Sequence, residues 1–496
     1  MSGQERHVVV VGAGPAGLAA ARAAADAGAR VTVLDAADVL GGQYWRHLPD
    51  ERPAGREHLL HHKWDTYRAL ADALRAHPAV TVVPTAQVWS LEQVSSPERP
   101  DGGVRLNVLV GEPDAAGREA ASFEPDALVL ATGAHDRTLP FPGWQLPGVY
   151  SAGAAQALAK GERVAVGRRV VVAGAGPFLL PVASSLLRTG ATVLGVHEAS
   201  RTGSLARGWL DRPWELAGAV GKAGELAGYV GELVRHRVPW HPGEAVVAAH
   251  GDGQVEAVTI ARLDARWAPV PGTEREVEAD AVAVSHGFTP RLELAIAAGC
   301  DLAPSRFVVV DDTQATSVPG VWAAGEITGI GGADAALAEG AVAGTAAAGG
   351  DLRAAGAARA GRAAGRSRGF AARIEAAHGI RGGWVRWLRD DTVVCRCEET
   401  TYGRVREVVD LTGSRETRSV KLTSRAGLGP CQARMCGRTL QELLDGDASG
   451  AGVDRRPLVV PVRLGDLAAL PSPATALPTA SLSATSLPTA STPQET

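Results

Sequence analysis

Two stretches of the chain share one arrangement of apolar and polar positions. Residues 7–35, HVVVVGAGPAGLAAARAAADAGARVTVLD, pass from a β-branched block through a glycine turn into an alanine-rich block and end in a second β-branched block. Unbroken runs of this kind predict strands buried on both faces, and the alanine-rich stretch predicts a helix that can lie close against a sheet. Residues 168–198, RRVVVAGAGPFLLPVASSLLRTGATVLGVHE, repeat the order strand, turn, helix, strand. Shorter apolar runs ending in glycine follow at 126–136, 280–290 and 320–340, each read as a strand that delivers a loop toward a ligand. From about 352 to 374 Ala, Arg and Gly dominate, which fits either a flexible linker or a solvated helix. The final Pro/Ser/Thr/Ala tract cannot bury a core and is expected to be disordered after about residue 470.

The fold class that follows is α/β, with two Rossmann-like dinucleotide-binding units. The expected organisation is a first unit formed by 1–155 and 276–350, a second at 156–275, a linker at 351–389, a small cysteine-bearing domain at 390–447 and an extension at 448–496. Composition narrows the class. At 496 residues, 45% hydrophobic and 21% charged, the chain can bury several cores and reads as a soluble globular protein. The net charge is -4, with no block of Lys and Arg that could track a phosphate backbone, so nucleic acid is not an expected partner. No apolar stretch reaches the ~18 residues of a membrane span. The N-terminus enters a strand without a leader pattern, so a cytoplasmic location is expected. In that reducing compartment five cysteines point to metal or redox chemistry rather than structural disulfides.

Gly12, Gly14 and Gly17 form GxGxxG between a predicted strand and a predicted helix, with Pro15 and Ala16 opening that helix. Gly12 permits the turn, Gly14 lets backbone approach a pyrophosphate, and Gly17 allows close packing of helix on strand. Asp35 ends the second strand, where a carboxylate can accept hydrogen bonds from ribose hydroxyls. The fingerprint alone does not distinguish FAD from NAD. In the second unit Gly174 and Gly176 keep the first two glycine positions, while Leu179 replaces the third. Glu198 retains the acid that suits a ribose 2′-hydroxyl and would repel a 2′-phosphate, so a nicotinamide cofactor there would be NAD. Another adenine nucleotide, or an empty structural unit, remains the alternative. No cysteine precedes Cys300, which excludes a redox-active dithiol beside the first unit. Cys300 itself ends an apolar helical pattern and reads as a small buried hydrophobe.

The other four cysteines fall as Cys395-x-Cys397 and Cys431-x4-Cys436. Four thiolates from two loops suit a [2Fe-2S] cluster; a structural zinc is the competitor, though its usual pairs are spaced by two to four residues. The second pair brackets the start of a predicted helix, with Pro430 as opening residue. Helix amides with Arg396, Arg434 and Arg438 could offset the negative charge of such a cluster.

The ordered motifs VVVVGAGPAGLAAA, LGGQYWR, LVLATGAHDRTLPFPGW and VPGVWAAGEITGIGG resemble the FAD-binding domain of the two-dinucleotide-binding flavoproteins. That resemblance implies FAD in the first unit, with Gly41, Gly42 and Gln43 near its ribityl or flavin end, Thr132 and Gly133 closing over it, and Gly325 with Glu326 near its ribityl-phosphate region. The family usually has Asp where this chain has Glu326. VVCRCEETTYGRVREVV with GLGPCQARMCG is similar to the bacterioferritin-associated-ferredoxin-like [2Fe-2S] domain, a small α-helical module. The x4 spacing matches the version found in the large (α) subunits of FAD-dependent opine, sarcosine, proline and hydroxyproline dehydrogenases and of hydrogen cyanide synthase. The resemblance implies an electron-transferring α subunit together with a second flavoprotein (β) subunit carrying the substrate site, and in some assemblies a small iron-sulfur subunit. A stand-alone NADH-dependent reductase that passes electrons through its cluster to a carrier is the second reading, and a nucleotide-bound scaffold subunit with structural cofactors the third. No substrate acid/base constellation is visible in the sequence; His135 and His286 lie in cofactor-side loops and read as loop histidines.

Overall fold

The computed structural model describes residues 5–444, apart from 50, 53, 54, 56, 97, 98, 114 and 116, together with 456 and 458–468. The tract expected to be disordered lies outside the described residues. The β-branched run His7–Val11 forms the middle of a five-stranded parallel sheet in the order Val321–Ala323, Ala127–Leu130, His7–Val11, Arg30–Leu34, Val80–Val83. Parallel strands place their C-terminal ends on one edge, the edge where open α/β sheets bind ligands. Here that edge gathers Gly12, Asp35, Thr132, Gly133, Gly325 and Glu326, each within three residues after a strand end.

The helix after the first glycine loop, Pro15–Asp26, packs on the sheet through Leu18, Ala20, Ala21 and Ala24, all fully buried. It also packs along Ala333–Ala347. A Cβ on Gly340 would lie 2.1 Å from the Ala16 carbonyl oxygen, and one on Gly344 would lie 2.0 Å from that of Ala20. The two helices therefore approach closer than any side chain allows, and the alanine and glycine content noted in the sequence is what permits it.

A second parallel sheet runs Trp240–Pro242, Thr192–Glu198, Arg169–Gly174, Ala281–Ser285, Val149–Ser151. Val149–Ser151 and Ala281–Ser285, placed in the first unit by the sequence reading, hydrogen-bond into this second sheet. Alternation of burial was too weak in such short runs to assign them to either sheet. After Gly174 the chain continues without helix until Leu179–Arg188, whereas Pro15 follows Gly12 by three positions. Leu179 starts the helix late and is itself buried at 1% exposure.

The Ala/Arg/Gly segment is a helix, Ala355–His378, packed against Thr202–Leu210 and Ala333–Ala347. A Cβ on Gly208 would lie 2.3 Å from the Ala377 Cα. The Arg373 guanidinium donates to the Gly208 carbonyl (3.3 Å) and pairs with Glu215 (2.8 Å). The chain then sends Trp384 and Trp387 into a buried cluster with Trp267, Ala175 and Ala199. The C-terminal module consists of a hairpin, Val393–Cys395 with Thr400–Thr401, and helices Tyr402–Thr412, Thr417–Ser424 and Gly437–Leu443 around Val394, Val408, Val420 and Leu440. Trp144 Nε1 donates to the Val393 carbonyl (2.5 Å), Arg137 pairs with Glu442 (2.8 Å) and Arg434 with Glu293 (3.1 Å), which dock the module on the rest of the chain.

Gly340→Val is expected to lower stability by about 1–3 kcal/mol through overpacking of this helix pair, read as a fall in the midpoint of urea unfolding. A comparable change at Gly356, which has open space around it, should have little effect.

Candidate functional site

One cavity of about 2650 Å³ opens along the C-terminal edge of the first sheet. Gly12, Gly14, Pro15, Ala16, Asp35, Gly42, Gln43, Thr132, Gly133, Gly325 and Glu326 all line it. Gly17 does not; its missing side chain instead lets the helix touch the loop, since a Cβ there would lie 1.7 Å from the Gly12 carbonyl oxygen. Gly14 has open space where a Cβ would project, the cradle a pyrophosphate needs. The Asp35 carboxylate accepts from the Ala13 and Ala37 (2.7 Å) backbone N–H groups, so its position relative to the loop is fixed before a ligand arrives. Burial raises its pKa, and those two amides oppose the rise.

Thr132 Oγ1 donates to the Arg291 carbonyl (2.8 Å). Glu326 faces the cavity with its pKa raised to about 7, first by burial and further by the Asp136 and Glu339 carboxylates, with Lys222 opposing. Glu339 was not singled out in the sequence. Its carboxylate, 6% exposed, accepts from the Gly325 N–H (2.9 Å) and Thr328 Oγ1 (2.8 Å) and so holds the loop that presents Glu326. A lone acid in the apolar run AALAEGAVAG was the available signal.

The second glycine loop is arranged differently. Glu198 accepts from the Gly176 (2.9 Å) and Ser200 (2.9 Å) N–H groups, as Asp35 does in the first unit, but it also contacts His378 Nδ1 at 3.1 Å. Trp209 Nε1 donates to His378 Nε2 (3.1 Å). Glu198 is 2% exposed, and Gly174, Gly176 and Glu198 stand outside the large cavity. His286 is also internal: burial lowers its pKa to about 3, Nδ1 accepts from the Leu139 N–H (3.3 Å), and its ring lies between Trp267 and Trp387. His135 lines the cavity, with its pKa lowered first by burial. Cys300 is buried in the core below the first sheet.

The four C-terminal cysteines come together two and two, Cys395 with Cys436 and Cys397 with Cys431, so each pair takes one thiol from each motif. Cys431 and Cys436 both precede the helix Gly437–Leu443, and Pro430 does not open it. Gln432 and Ala433 adopt positive φ (50° and 64°), which is incompatible with a right-handed helix and folds the five-residue spacing into a turn. The Gly427 N–H donates to Cys395 Sγ (3.3 Å). The hydrogen bond with Cys436 holds the Cys395 thiol down to about 6 and pushes Cys436 up. Lys421, Arg434 and Arg456 all lie within electrostatic reach of Cys431. Of the other arginines expected there, Arg396 stacks over Trp144 (5.3 Å) and Arg438 pairs with Glu442 (3.4 Å). Four thiols in two pairs, with Lys421, Arg434 and Arg456 near Cys431, supply the donor set of a two-iron cluster, whose irons each take two thiolates. Cys431 also lines the large cavity, as do Arg434 and Met435.

The profile of the pyridine nucleotide-disulphide oxidoreductases matches residues 6–340. The chain belongs to that family. The BFD-like [2Fe-2S] binding domain matches residues 393–446. An opine oxidase subunit of Rhizobium meliloti is 33% identical over 496 residues, covering 95% of this chain and 88% of the relative. Hydrogen cyanide synthase subunit HcnB of Pseudomonas aeruginosa is 34% identical over 351 residues, covering 67% and 72%. L-proline dehydrogenase from P. horikoshii shares the fold, with a TM-score of 0.61 at 18% identity over 94% of this chain and 79% of that one. This member of the family is a flavin oxidoreductase with a [2Fe-2S] domain, homologous to subunits of multi-subunit enzymes. No helix among the described residues is long and apolar enough to cross a membrane.

Glu326→Gln should stabilise the flavin-free chain, by up to about 3 kcal/mol, at pH 8 and hardly at all at pH 4. The sign follows from the raised pKa: the carboxylate costs stability only where it is charged in the unfolded chain, so the cost grows between about 4.5 and 7 and is constant above. Urea unfolding of both forms across that range measures it.

Proposed function

We propose that this chain is the flavin- and cluster-bearing α subunit of a cytoplasmic multi-subunit dehydrogenase acting on the CH–NH bond of an amino acid, opine or amine. A second flavoprotein subunit carries the substrate site, and a small iron-sulfur subunit completes some assemblies. The observation that carries this reading is the continuity of one cavity from the first glycine loop to Cys431. Gly12, Gly14, Pro15, Ala16, Asp35, Gly42, Gln43, Thr132, Gly133, Gly325 and Glu326 would hold FAD, with Gly17 supporting the loop from behind. Cys395, Cys397, Cys431 and Cys436 would hold the [2Fe-2S] cluster. When bound, these groups supply two-electron and one-electron redox chemistry in one chain.

The chain's own residues do the positioning. Arg434 stands between the two regions: it lines the cavity, bonds the Cys431 carbonyl (3.1 Å) and is anchored on Glu293 (3.1 Å). Through that anchor the cysteine turn is tied to the helix Glu293–Ala298 of the flavin unit. The Trp144, Arg137 and Arg306 contacts fix the same module from the other side.

The stand-alone NADH reductase needs Gly174, Gly176 and Glu198 to receive NAD or another adenine nucleotide. The engagement of Glu198 by His378 speaks against ready access to that site. The purified, flavin-loaded chain, kept anaerobic, is therefore expected to hold an oxidised visible spectrum when NADH is added and to bleach with an amine donor only when a partner subunit is present. Rapid bleaching by NADH alone would overturn this reading in favour of the reductase. Cys431→Ser is expected to remove iron and the cluster's visible bands while FAD content stays unchanged, measured by metal analysis and by flavin released on denaturation.

A further inference from the structure

Beyond the cysteine module the chain returns to the flavin unit. Val459 is buried in the core below the first sheet, its N–H donates to the Trp89 carbonyl (2.8 Å) and its own carbonyl accepts from Arg434. Further on, Asp466 pairs with the buried Arg118 (2.6 Å), which also donates to Gln87 (2.8 Å). The extension is therefore a strap, pinned at Val459 to both the flavin unit and the cysteine turn, and at Asp466 to the flavin unit again. Three residues before the first of these pins stands Arg456.

Arg456 is a buried cation short of partners. Its side chain is 9% exposed, and among the described residues Nε, Nη1 and Nη2 find no hydrogen-bond acceptor. It meets one carboxylate oxygen, Glu293 Oε1, at 3.9 Å, and Arg434 already holds that same oxygen at 3.1 Å. One carboxylate thus serves two guanidiniums, with the Lys421 ammonium also within electrostatic reach of Arg456. A guanidinium does not deprotonate in a protein, and burying one without satisfied donors is costly. Excess positive charge therefore stands beside the turn that carries Cys431 and Cys436, and apart from Glu293 it is these two thiols whose charge favours the cation.

We propose that Arg456 is a counter-charge of the iron-sulfur cluster, set against the Cys431–Cys436 turn by the strap, and that it raises the cluster's reduction potential. The inference rests on the four cysteines holding the cluster. An all-thiolate two-iron cluster is anionic, and the uptake of one electron makes it more so; a fixed cation beside it favours the reduced form. A guanidinium bound closely to its own carboxylate presents little net charge to its surroundings, whereas Arg456 shares a carboxylate that another arginine already holds. Burial keeps its field from being screened by salt and strengthens it through the lower local dielectric.

The test is a redox titration of the full chain loaded with FAD and cluster, poised with dithionite and mediators and read by the EPR signal of the reduced cluster, so that neither substrate nor partner subunit enters. Arg456→Met is expected to shift the balance of oxidised and reduced cluster about tenfold toward the oxidised form, a midpoint lower by about 59 mV for a one-electron couple, with iron content unchanged. Arg456→Lys keeps the charge and should stay within about twofold of the wild type. Asp466→Asn loosens the strap without touching the cysteine turn and should lower the midpoint by less. An unmoved midpoint in Arg456→Met at full iron content overturns the inference, as does an equal fall in Arg456→Lys; an unmoved midpoint in Asp466→Asn overturns the part given to the strap. Should Arg456→Met lose its iron, Asp466→Asn decides alone, a lowered midpoint supporting the inference and an unmoved one overturning it. A wild-type chain without a two-iron signal would overturn the cysteine assignment and this inference with it, whereas bleaching by NADH alone overturns only the subunit reading.

Discussion

The contact on which the rest of the site depends is the approach of backbone to backbone around the first glycine loop. Gly17 lies against the Gly12 carbonyl, Gly340 against that of Ala16, and a Cβ on Gly325 would stand 2.8 Å from the Ala16 Cβ. Three segments distant in sequence thus meet at distances that exclude any added side chain. Because protein interiors are close-packed and resist compression, this locks the loops after the first and last strands of the sheet relative to each other. Asp35, accepting from Ala13 in the first loop and from Ala37 in its own, and Glu339, accepting twice from the loop after the last strand, complete the frame.

The second unit shows what happens when the same chain pattern lacks that closure. Leu179 begins its helix late, the loop residue Ala175 is buried in a tryptophan cluster, and a helix from outside both sheets supplies His378 to the acid at the strand end. Two buried tryptophans then cover the loop. The same C-terminal segment carries the cysteine module, whose Cys431 lines the cavity.

The docking of that module is polar and directional rather than broadly apolar. Arg137, buried to 4% exposure, would be costly without Glu442, and Arg434 has a similar need for Glu293. Ion pairs of this kind specify orientation, so the cysteine turn faces the cavity rather than solvent. The exposed side of the cysteine pair, Cys397, is left on the outer surface.

The sequence by itself determined the two strand-turn-helix-strand units, the glycine loop with Asp35 and the grouping of four cysteines, because these depend on local conformational and spacing rules that hold wherever the segments end up. Strand membership was decided only in three dimensions: Ala281–Ser285 and Val149–Ser151 are too short for pattern to assign, and hydrogen-bond register alone joins them to the second sheet. The same holds for the cysteine turn, where positive φ at Gln432 and Ala433 replaces the expected helix start. It holds most of all for His378 on Glu198, 180 residues apart in sequence, and for Asp466 on Arg118, 348 apart. No spacing rule relates such residues; their chemistry exists because packing of separate elements brought each buried charge to the group that faces it.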